Sequence, residues 1–180
     1  MDTAKISVVI PTYRRPHLLI RCLDAVLAQD FPARDYEIIV VSDGNDPATE
    51  QCMAELPLKQ YPVVQYYSLP AKAGPAAARN LGWLLGQGEL IAFTDDDCVP
   101  ANNWLSMLWK AYQFQVKEEI AFSGKTVVPI NDDPTDYEKN ISQLASAEFI
   151  TANCACTKMA LQTVRGFDER FRMAWREDSD

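Results

Sequence analysis

Apolar runs alternate with amphipathic segments along the first half of the chain. Four apolar runs are predicted as strands, of which the first two are expected to be buried: Ile6–Ile10, Tyr36–Val41, Val63–Ser68 and Leu90–Thr94. Between them, apolar residues recur at helical spacing in segments that begin near Pro16, Thr49 and Gly74. This alternation predicts an α/β fold with a mostly parallel sheet covered by helices on both faces.

The second half is less regular. Helices are expected at Trp104–Phe114, Tyr137–Ala147 and Met159–Val164, and extended segments at Ile120–Val128 and Phe149–Ala155. No internal repeat or linker separates the two halves. We therefore predict one domain, with a βα half over residues 1–100 and a second half over residues 101–180.

Polar side chains follow three of the predicted strands at the point where each ends. These are Arg14, Asp43 and the run Asp95–Asp97. Because ligands of open parallel sheets bind outside the carboxyl ends of the strands, we expect these groups to form one site.

Composition narrows the range of possible functions. The 180 residues include 17 Lys and Arg against 25 Asp and Glu, a formal net charge of −8, and 48% of them are hydrophobic. This is typical of a folded globular protein. The acidic balance argues against a nucleic-acid partner, because such proteins neutralise phosphates with excess positive charge. An anionic ligand would need something other than bulk charge to hold it.

The sequence also suggests a compartment. The first residues lack the pattern of a secretory signal peptide, and no apolar stretch approaches the ~20 residues of a membrane-spanning helix. The five cysteines are odd in number, scattered and without a CxxC pair, which is typical of a reduced protein. We expect a cytoplasmic location.

The run Asp95–Asp97 is the sharpest chemical signal. Three adjacent carboxylates repel one another unless they are solvated or bind a cation. In an extended chain Asp95 and Asp97 point to one side and Asp96 to the other. Their hard oxygens suit Mg²⁺ or Mn²⁺. A solvated acidic turn is the alternative, but the position after a buried strand favours the metal site.

Two further segments could carry chemistry. Gly74–Asn80 begins a helix, where backbone N–H groups and Arg79 could meet a phosphate; a structural salt bridge of Arg79 fits equally well. Near the end of the chain, Glu177 or Asp178 could act as a general base beside Trp175, although acidic residues near a terminus are usually solvated.

Together these motifs resemble the family-2 nucleotide-sugar glycosyltransferases of the GT-A fold. Any one motif is weak, but five occur in the family's order along the whole chain. They are Val8–Arg15, Val40–Asp46, Gly74–Gly82, Phe93–Pro100 and Gly166–Phe171 leading to Glu177–Asp178. The resemblance implies a Rossmann-like sheet, with residues 1–100 binding the nucleotide sugar and residues 101–180 on the acceptor side.

The resemblance also implies roles for the donor-side residues. Pro11, Thr12 and Tyr13 would flank the nucleotide base, with Arg14 beside them, and Asp43 would accept a ring N–H, as from uracil. Arg79 would contact the nucleotide. Asp96 would face the ribose or the metal, Asp97 would be the ligand of Mn²⁺ or Mg²⁺, and Asp95 would be its neighbour in both the nucleotide and the metal site.

The implied reaction is inverting transfer from a nucleotide-diphosphate sugar, with a UDP-linked hexose or hexosamine favoured, to a hydroxyl of a glycan or lipid-linked acceptor. Asp178 would be the catalytic base, with Glu177 as the second choice. Relatives continue past this point, so we expect a domain cut shortly after its base, with weak or no turnover. Its acceptor or a missing segment could bring it to the inner face of a membrane.

Two alternatives stay open at this stage. Leu90–Val99 also resembles the strand end of haloacid-dehalogenase-type phosphatases, in which the first aspartate, here Asp95, is a nucleophile. Those proteins usually carry the motif early in the fold, whereas three predicted βα units precede it here. The second alternative is a non-catalytic module that binds a nucleotide without transferring sugar.

Overall fold

The computed structural model describes residues 4–57, 61–129, 135, 142 and 149–171. Its strands are β1 (Ile6–Thr12), β2 (Tyr36–Ser42), β3 (Val63–Ser68), β4 (Leu90–Phe93), β5 (Ala121–Ser123) and β6 (Cys154–Thr157). Its helices are α1 (Pro16–Leu27), α2 (Pro47–Ala54), α3 (Pro75–Leu85), α4 (Trp104–Gln113) and α5 (Lys158–Val164), with a 3₁₀ turn at Thr151–Asn153. The four strands and three helices predicted in the first half are all present.

The strands form one six-stranded sheet in the order β3-β2-β1-β4-β6-β5. Strands β1 to β4 are parallel, and β6 is antiparallel to both β4 and β5. The predicted mostly parallel α/β sheet is thus confirmed. Both halves of the chain contribute strands to it, because β6 pairs along the whole of β4.

Alternation of side chains along β1 explains why helices cover both faces. Ile6, Val8 and Ile10 point to one face and pack in a core with α1 and α4, through Leu23 of α1 and Leu105 of α4 among others. Val9 points to the opposite face, where α3 and α5 contribute Trp83 and Leu161. Strands buried on both faces are apolar along nearly their whole length, as a parallel sheet requires.

The second half departs from the predictions in detail. The extended segment predicted over Ile120–Val128 forms only the three-residue β5. The strand predicted at Phe149–Ala155 begins later, at Cys154, because Phe149 has a positive φ of 53° and Thr151–Asn153 form a 3₁₀ turn. The Asn153 amide holds this turn by accepting from Trp104 Nε1 at 2.8 Å. Apart from Ser142, the helix predicted at Tyr137–Ala147 lies outside the described residues.

Candidate donor and metal site

Three loops meet at the carboxyl edge of the sheet. The loop after β2 is bonded to β1, since Asp43 N donates to Thr12 O at 2.8 Å. The loop after β4 is bonded to the same residue, since Thr12 Oγ1 donates to Asp96 Oδ2 at 2.7 Å. β1 can reach both because it lies between β2 and β4 in the sheet. Thr12 therefore joins the segments that the sequence predicted to share a site.

The carboxylates of Asp95–Asp97 separate into two groups. Oxygen atoms of Asp95 and Asp97 and the sulfur of Cys98 all lie within 4.8 Å of one another. Asp97 is 50% exposed, whereas the Asp96 side chain is fully buried on the other side of the chain. The divergence expected from an extended chain is present, and it leaves Asp95 and Asp97 able to share one cation.

Cys98 completes this cluster without adding a thiolate. Burial, together with the negative charges of Asp95 and Asp97, raises the pKa of the Cys98 thiol to about 12. The protonated sulfur lies 3.7 Å from Asp97 Oδ1, as a weak donor does. The hard ligands of the cluster are the carboxylate oxygens of Asp95 and Asp97, the ligand type that Mg²⁺ and Mn²⁺ prefer.

Arg15 is a member of the site that sequence reasoning missed. Its Nη2 lies 2.7 Å from Asp96 Oδ1 and its Nη1 lies 3.3 Å from Asp97 Oδ2. The sequence placed Arg15 after a strand but gave no partner for it. Burial raises the pKa of Asp96, while the Thr12 hydroxyl and the Arg15 charge oppose that rise. Arg15 therefore compensates part of the cost of burying this carboxylate.

Arg79 contacts the same cluster through Asp95. It lies one turn into α3, is almost fully buried, and donates from Nη2 to Asp95 Oδ1 at 2.7 Å. The guanidinium also stands 5.9 Å from the centroid of the Phe167 ring. The structural salt bridge considered in the sequence is present, and it places a fixed positive charge beside Asp95.

Asp43 fastens the start of α3 to the sheet edge. Its Oδ1 accepts from Ala73 N at 2.7 Å and from Gly74 N at 2.9 Å, and the side chain is buried. Gly74, the residue before α3, has a φ of 104°, which favours glycine. The predicted base-binding residue therefore also organises the loop that begins α3.

Tyr13 lies at the mouth of the site between two cations. The Lys72 ammonium stands 4.2 Å from its ring centroid and the Arg14 guanidinium 5.2 Å from it. Pro11 and Thr12 are buried behind it at the end of β1. A nearby cavity of about 450 Å³ is lined by Lys72, Ala73 and Asp168–Arg170. Glu177 and Asp178 lie outside the described residues, so their placement stays a prediction.

A sequence model of Glycosyl transferase family 2 matches residues 7–169. The chain belongs to this family. The match covers nearly all of the elements that form the site, so the recognition based on five motifs is confirmed. It also decides against the phosphatase interpretation, which rested on a single motif.

Individual proteins show the same likeness. Glycosyltransferase AglE of Haloferax volcanii is 33% identical over 100 residues, which are 56% of this chain and 33% of AglE. The crystal structure of S. aureus TarS 1-349 in complex with UDP superposes with a TM-score of 0.71 at 21% identity, over 97% of this chain and 52% of that one. For the mannosyltransferase PcManGT of Pyrobaculum calidifontis, in complex with GDP-Man and Mn²⁺, the TM-score is 0.67 at 22% identity, over 94% and 49%.

The similarity to the solved structures establishes the GT-A fold. This chain spans a third of AglE and about half of each structural neighbour. Within the described residues, no helix combines the length and the apolar character needed to cross a membrane.

Asp46 gives a first prediction, on stability. It caps α2 by accepting from Thr49 N and Thr49 Oγ1, and it also accepts from Arg14 N at 2.9 Å, so it ties the β1 and β2 loops together. We expect Asp46→Ala to lower the free energy of unfolding at pH 7 by about 1–3 kcal/mol. Chemical denaturation measures this, with the exposed Asp24→Ala as the matched control.

The effect should depend on pH with a defined sign. Burial raises the pKa of Asp46, but hydrogen bonds from Thr49 and Arg14 outweigh it and leave the pKa below the usual 3.8. Stability from a carboxylate with a lowered pKa is present above its unfolded pKa and is lost as pH falls through the folded one. The difference between wild type and Asp46→Ala should therefore shrink below about pH 4. A difference that grows on acidification would contradict the assignment.

Proposed function

We propose that this chain forms the donor-binding and catalytic region of an inverting, divalent-metal-dependent glycosyltransferase. It would transfer a hexosyl or hexosaminyl group from a nucleotide-diphosphate sugar, with uracil as the favoured base, to an acceptor hydroxyl. The observation that carries the proposal is the clustering of the Asp95 and Asp97 oxygens at the sheet edge, with Arg79 on Asp95 and the Asp43 loop beside them. Family membership and neighbours solved with UDP or with GDP-Man and Mn²⁺ support it.

The carboxylates fit a divalent cation. Asp95 and Asp97 would hold Mn²⁺ or Mg²⁺, because they offer hard oxygens within 4.8 Å of each other and Asp97 is accessible to solvent. A cation bound there offsets the negative charge that develops on the departing nucleoside diphosphate. Such a cation would supply the positive charge that a protein with a net charge of −8 needs in order to bind an anionic diphosphate.

The protein's own side chains would bind and orient the donor. Tyr13 and its neighbours Pro11, Thr12 and Arg14 would flank the base, and the Asp43 carboxylate would accept a ring N–H. Arg79 would contact the nucleotide from its fixed position beside Asp95. Asp96, which accepts from Thr12 and pairs with Arg15, would face the ribose or the metal.

Asp178 would perform the proton transfer, with Glu177 as the second choice. As the acceptor oxygen attacks the anomeric carbon, the base takes the hydroxyl proton, and the bond from the anomeric carbon to the diphosphate oxygen breaks with its electron pair on the diphosphate. Attack opposite the leaving group inverts the anomeric configuration. We propose a glycan or lipid-linked acceptor and a cytoplasmic location, with access to the inner face of a membrane.

The proposal gives a second prediction. Asp178→Asn should reduce UDP release from UDP-sugars by on the order of 10²–10⁴-fold, because it removes the general base. The affinity for UDP should change less than about twofold, if the base acts on the acceptor hydroxyl as proposed and not on the nucleotide. Calorimetric titration of UDP in the presence of Mn²⁺ measures the affinity, and a UDP-release assay measures the reaction. Asp180→Asn is the matched control.

The outcomes separate the candidate functions. Binding of nucleotides with no release from any donor would favour the non-catalytic module. If none of UDP, GDP and their sugar derivatives bound in the presence of Mn²⁺, the donor site itself would be wrong.

A further inference from the structure

The side-chain amide of Asn80 is the centre of a hydrogen-bond hub between the donor side and the segment after α5. It lies in α3 next to Arg79 and is buried. Its Nδ2 donates to Phe167 O at 2.9 Å and to Glu169 Oε1 at 2.8 Å. Its Oδ1 accepts from Phe167 N at 2.9 Å and from Trp83 Nε1 at 3.0 Å. Both donors and both lone pairs of the amide are therefore used.

This arrangement fixes the orientation of the amide. Phe167 N and Trp83 Nε1 can only donate, and Phe167 O and the Glu169 carboxylate can only accept at neutral pH. A flipped amide would set donor against donor and acceptor against acceptor. The hub is thus a specific lock between α3 and the segment that contains Glu169.

The backbone after α5 is shaped to reach this lock. Arg165 and Gly166 both have a positive φ, of 65° and 74°. A Cβ built at Gly166 would lie 2.4 Å from Asn80 Oδ1 and 2.8 Å from Trp83 Nε1. Only glycine allows the chain to pass so close to the amide.

The hub is connected through Phe167 to the cluster of Asp95, Asp97 and Cys98. The Phe167 ring packs edge-on against Phe93, the last residue of β4, with centroids 5.1 Å apart. The Arg79 guanidinium that contacts the same ring is bonded to Asp95. The position of Glu169 is therefore set relative to the carboxylates that would hold the cation.

Glu169 lines the cavity of about 450 Å³ together with Lys72 and Ala73. Asn80 holds one oxygen of its carboxylate, and the exposed side chain presents the rest of the group to the cavity. Arg170 donates to both oxygens of Asp168, which also lines the cavity, and these hydrogen bonds lower the pKa of Asp168. Charged side chains of both signs line this cavity, and such a lining suits a polyhydroxylated ring, whose hydroxyl groups donate to carboxylate oxygens such as those of Glu169.

We propose that Asn80 is a positioning residue and that Glu169 is the binding residue it positions, accepting hydroxyl groups of the glycosyl unit of the nucleotide sugar. This rests on the proposed function and adds to it a residue pair that discriminates the sugar from the nucleotide. Asn80 acts only through Glu169 and the segment it fixes.

The experiment compares each nucleotide with its sugar derivative. Dissociation constants for UDP, UDP-glucose, UDP-N-acetylglucosamine, GDP and GDP-mannose are measured with Mn²⁺ by calorimetry. Glu169→Ala should weaken the sugar derivative that wild type binds by about tenfold, the value of one charged hydrogen bond, and the free nucleotide by less than twofold. The affinity of Glu169→Gln for the sugar derivative should lie between the affinities of wild type and of Glu169→Ala. Glu118→Ala, also exposed, is the matched control.

The positioning role is tested with Asn80→Asp, which keeps one oxygen but turns the two donors into an acceptor facing Glu169 and Phe167 O. It should cause the same selective loss, and the double variant Asn80→Asp/Glu169→Ala should be no worse than Asn80→Asp alone. Asn103→Asp is the exposed control. If Asn80→Asp does not fold, the two Glu169 variants decide alone.

Equal weakening of nucleotide and sugar derivative, or an unchanged ratio in Glu169→Ala, would overturn this inference while leaving the proposed function intact. Failure of wild type to bind any nucleotide would overturn both. A selective loss in Glu169→Ala supports the inference.

Discussion

Replacing Asp97 by alanine is expected to abolish the contribution of Mn²⁺ to nucleotide binding. Asp97 is the more exposed of the two carboxylates in the cluster, and Arg15 is its one ion-pair partner among the described residues. Loss of a ligand should cost metal affinity on the order of a hundredfold or more, because even residues that only orient ligands contribute about 10–100-fold. The free energy of unfolding should change by less than about 0.5 kcal/mol, as for other exposed positions.

Titration of UDP and GDP with and without Mn²⁺ measures this effect. Wild type should bind more tightly with the cation, and Asp97→Ala should show the same affinity in both conditions. Asp24→Ala, an exposed aspartate on α1, is the matched control and should behave as wild type. A variant that still responds to Mn²⁺ would exclude Asp97 as a ligand.

The second large effect is expected at Asp43. Alanine there removes the acceptor for the N–H groups of Ala73 and Gly74, and an unsatisfied buried N–H costs about 1–3 kcal/mol. Asp43→Ala should therefore lose about 2–4 kcal/mol of stability and detach the start of α3 from β2. Asp43→Asn keeps an oxygen in the same place and should lose about 1 kcal/mol or less.

Nucleotide binding separates the structural role of Asp43 from the proposed recognition of the base. If the carboxylate accepts a ring N–H, both variants should lose about tenfold or more in affinity for UDP, since asparagine replaces a charged acceptor by a neutral one. Denaturation and calorimetry on the same samples give the two numbers. Wild-type UDP affinity in Asp43→Asn would leave Asp43 with the structural role alone.

The regular part of the fold could be predicted because its signals are local. The β3 run, Val63–Ser68, has the predicted bounds, and β1, β2 and β4 differ from theirs by one or two residues at the carboxyl end. Strands β1, β2 and β4 are buried along their whole length and must be apolar on both faces, so their sequences mark them directly, whereas β3 is an edge strand and is only partly buried. The shared edge of the site could be predicted in the same way, because polar residues that directly follow parallel strands all lie at the carboxyl edge of the sheet.

The structure of the second half of the chain was harder to predict, because it depends on contacts between residues that are distant in the sequence. The 3₁₀ turn before β6 depends on Asn153, whose amide is bonded to Trp104, 49 residues away in the chain. The residues adjacent to Asn153 in the sequence do not indicate this hydrogen-bond partner. The antiparallel direction of β6 likewise depends on its pairing with β4 rather than on its own four residues.

The site shows the same division. The sequence identified Asp43, Arg79 and Asp95–Asp97 by type and position, but it could not assign a partner to Arg15 or to Asn80. Arg15 meets Asp96 and Asp97 across more than 80 residues of chain, and Asn80 meets Phe167 and Glu169 across nearly 90. Side chains of this kind become informative only when the backbone brings their partners within hydrogen-bond distance.

By itself, the sequence determined the α/β class, the family and the edge of the sheet where chemistry gathers, because periodicity and short motifs encode these within a few neighbouring residues. Only the tertiary structure decided that Asp96 is buried whereas Asp97 is half-exposed, that Arg15 pairs with Asp96 and Asp97 while Arg79 pairs with Asp95, and that Asn80 binds Glu169 beside a cavity. Those facts depend on distances between segments far apart in the chain, and such distances are set when the sheet and its two layers of helices pack together.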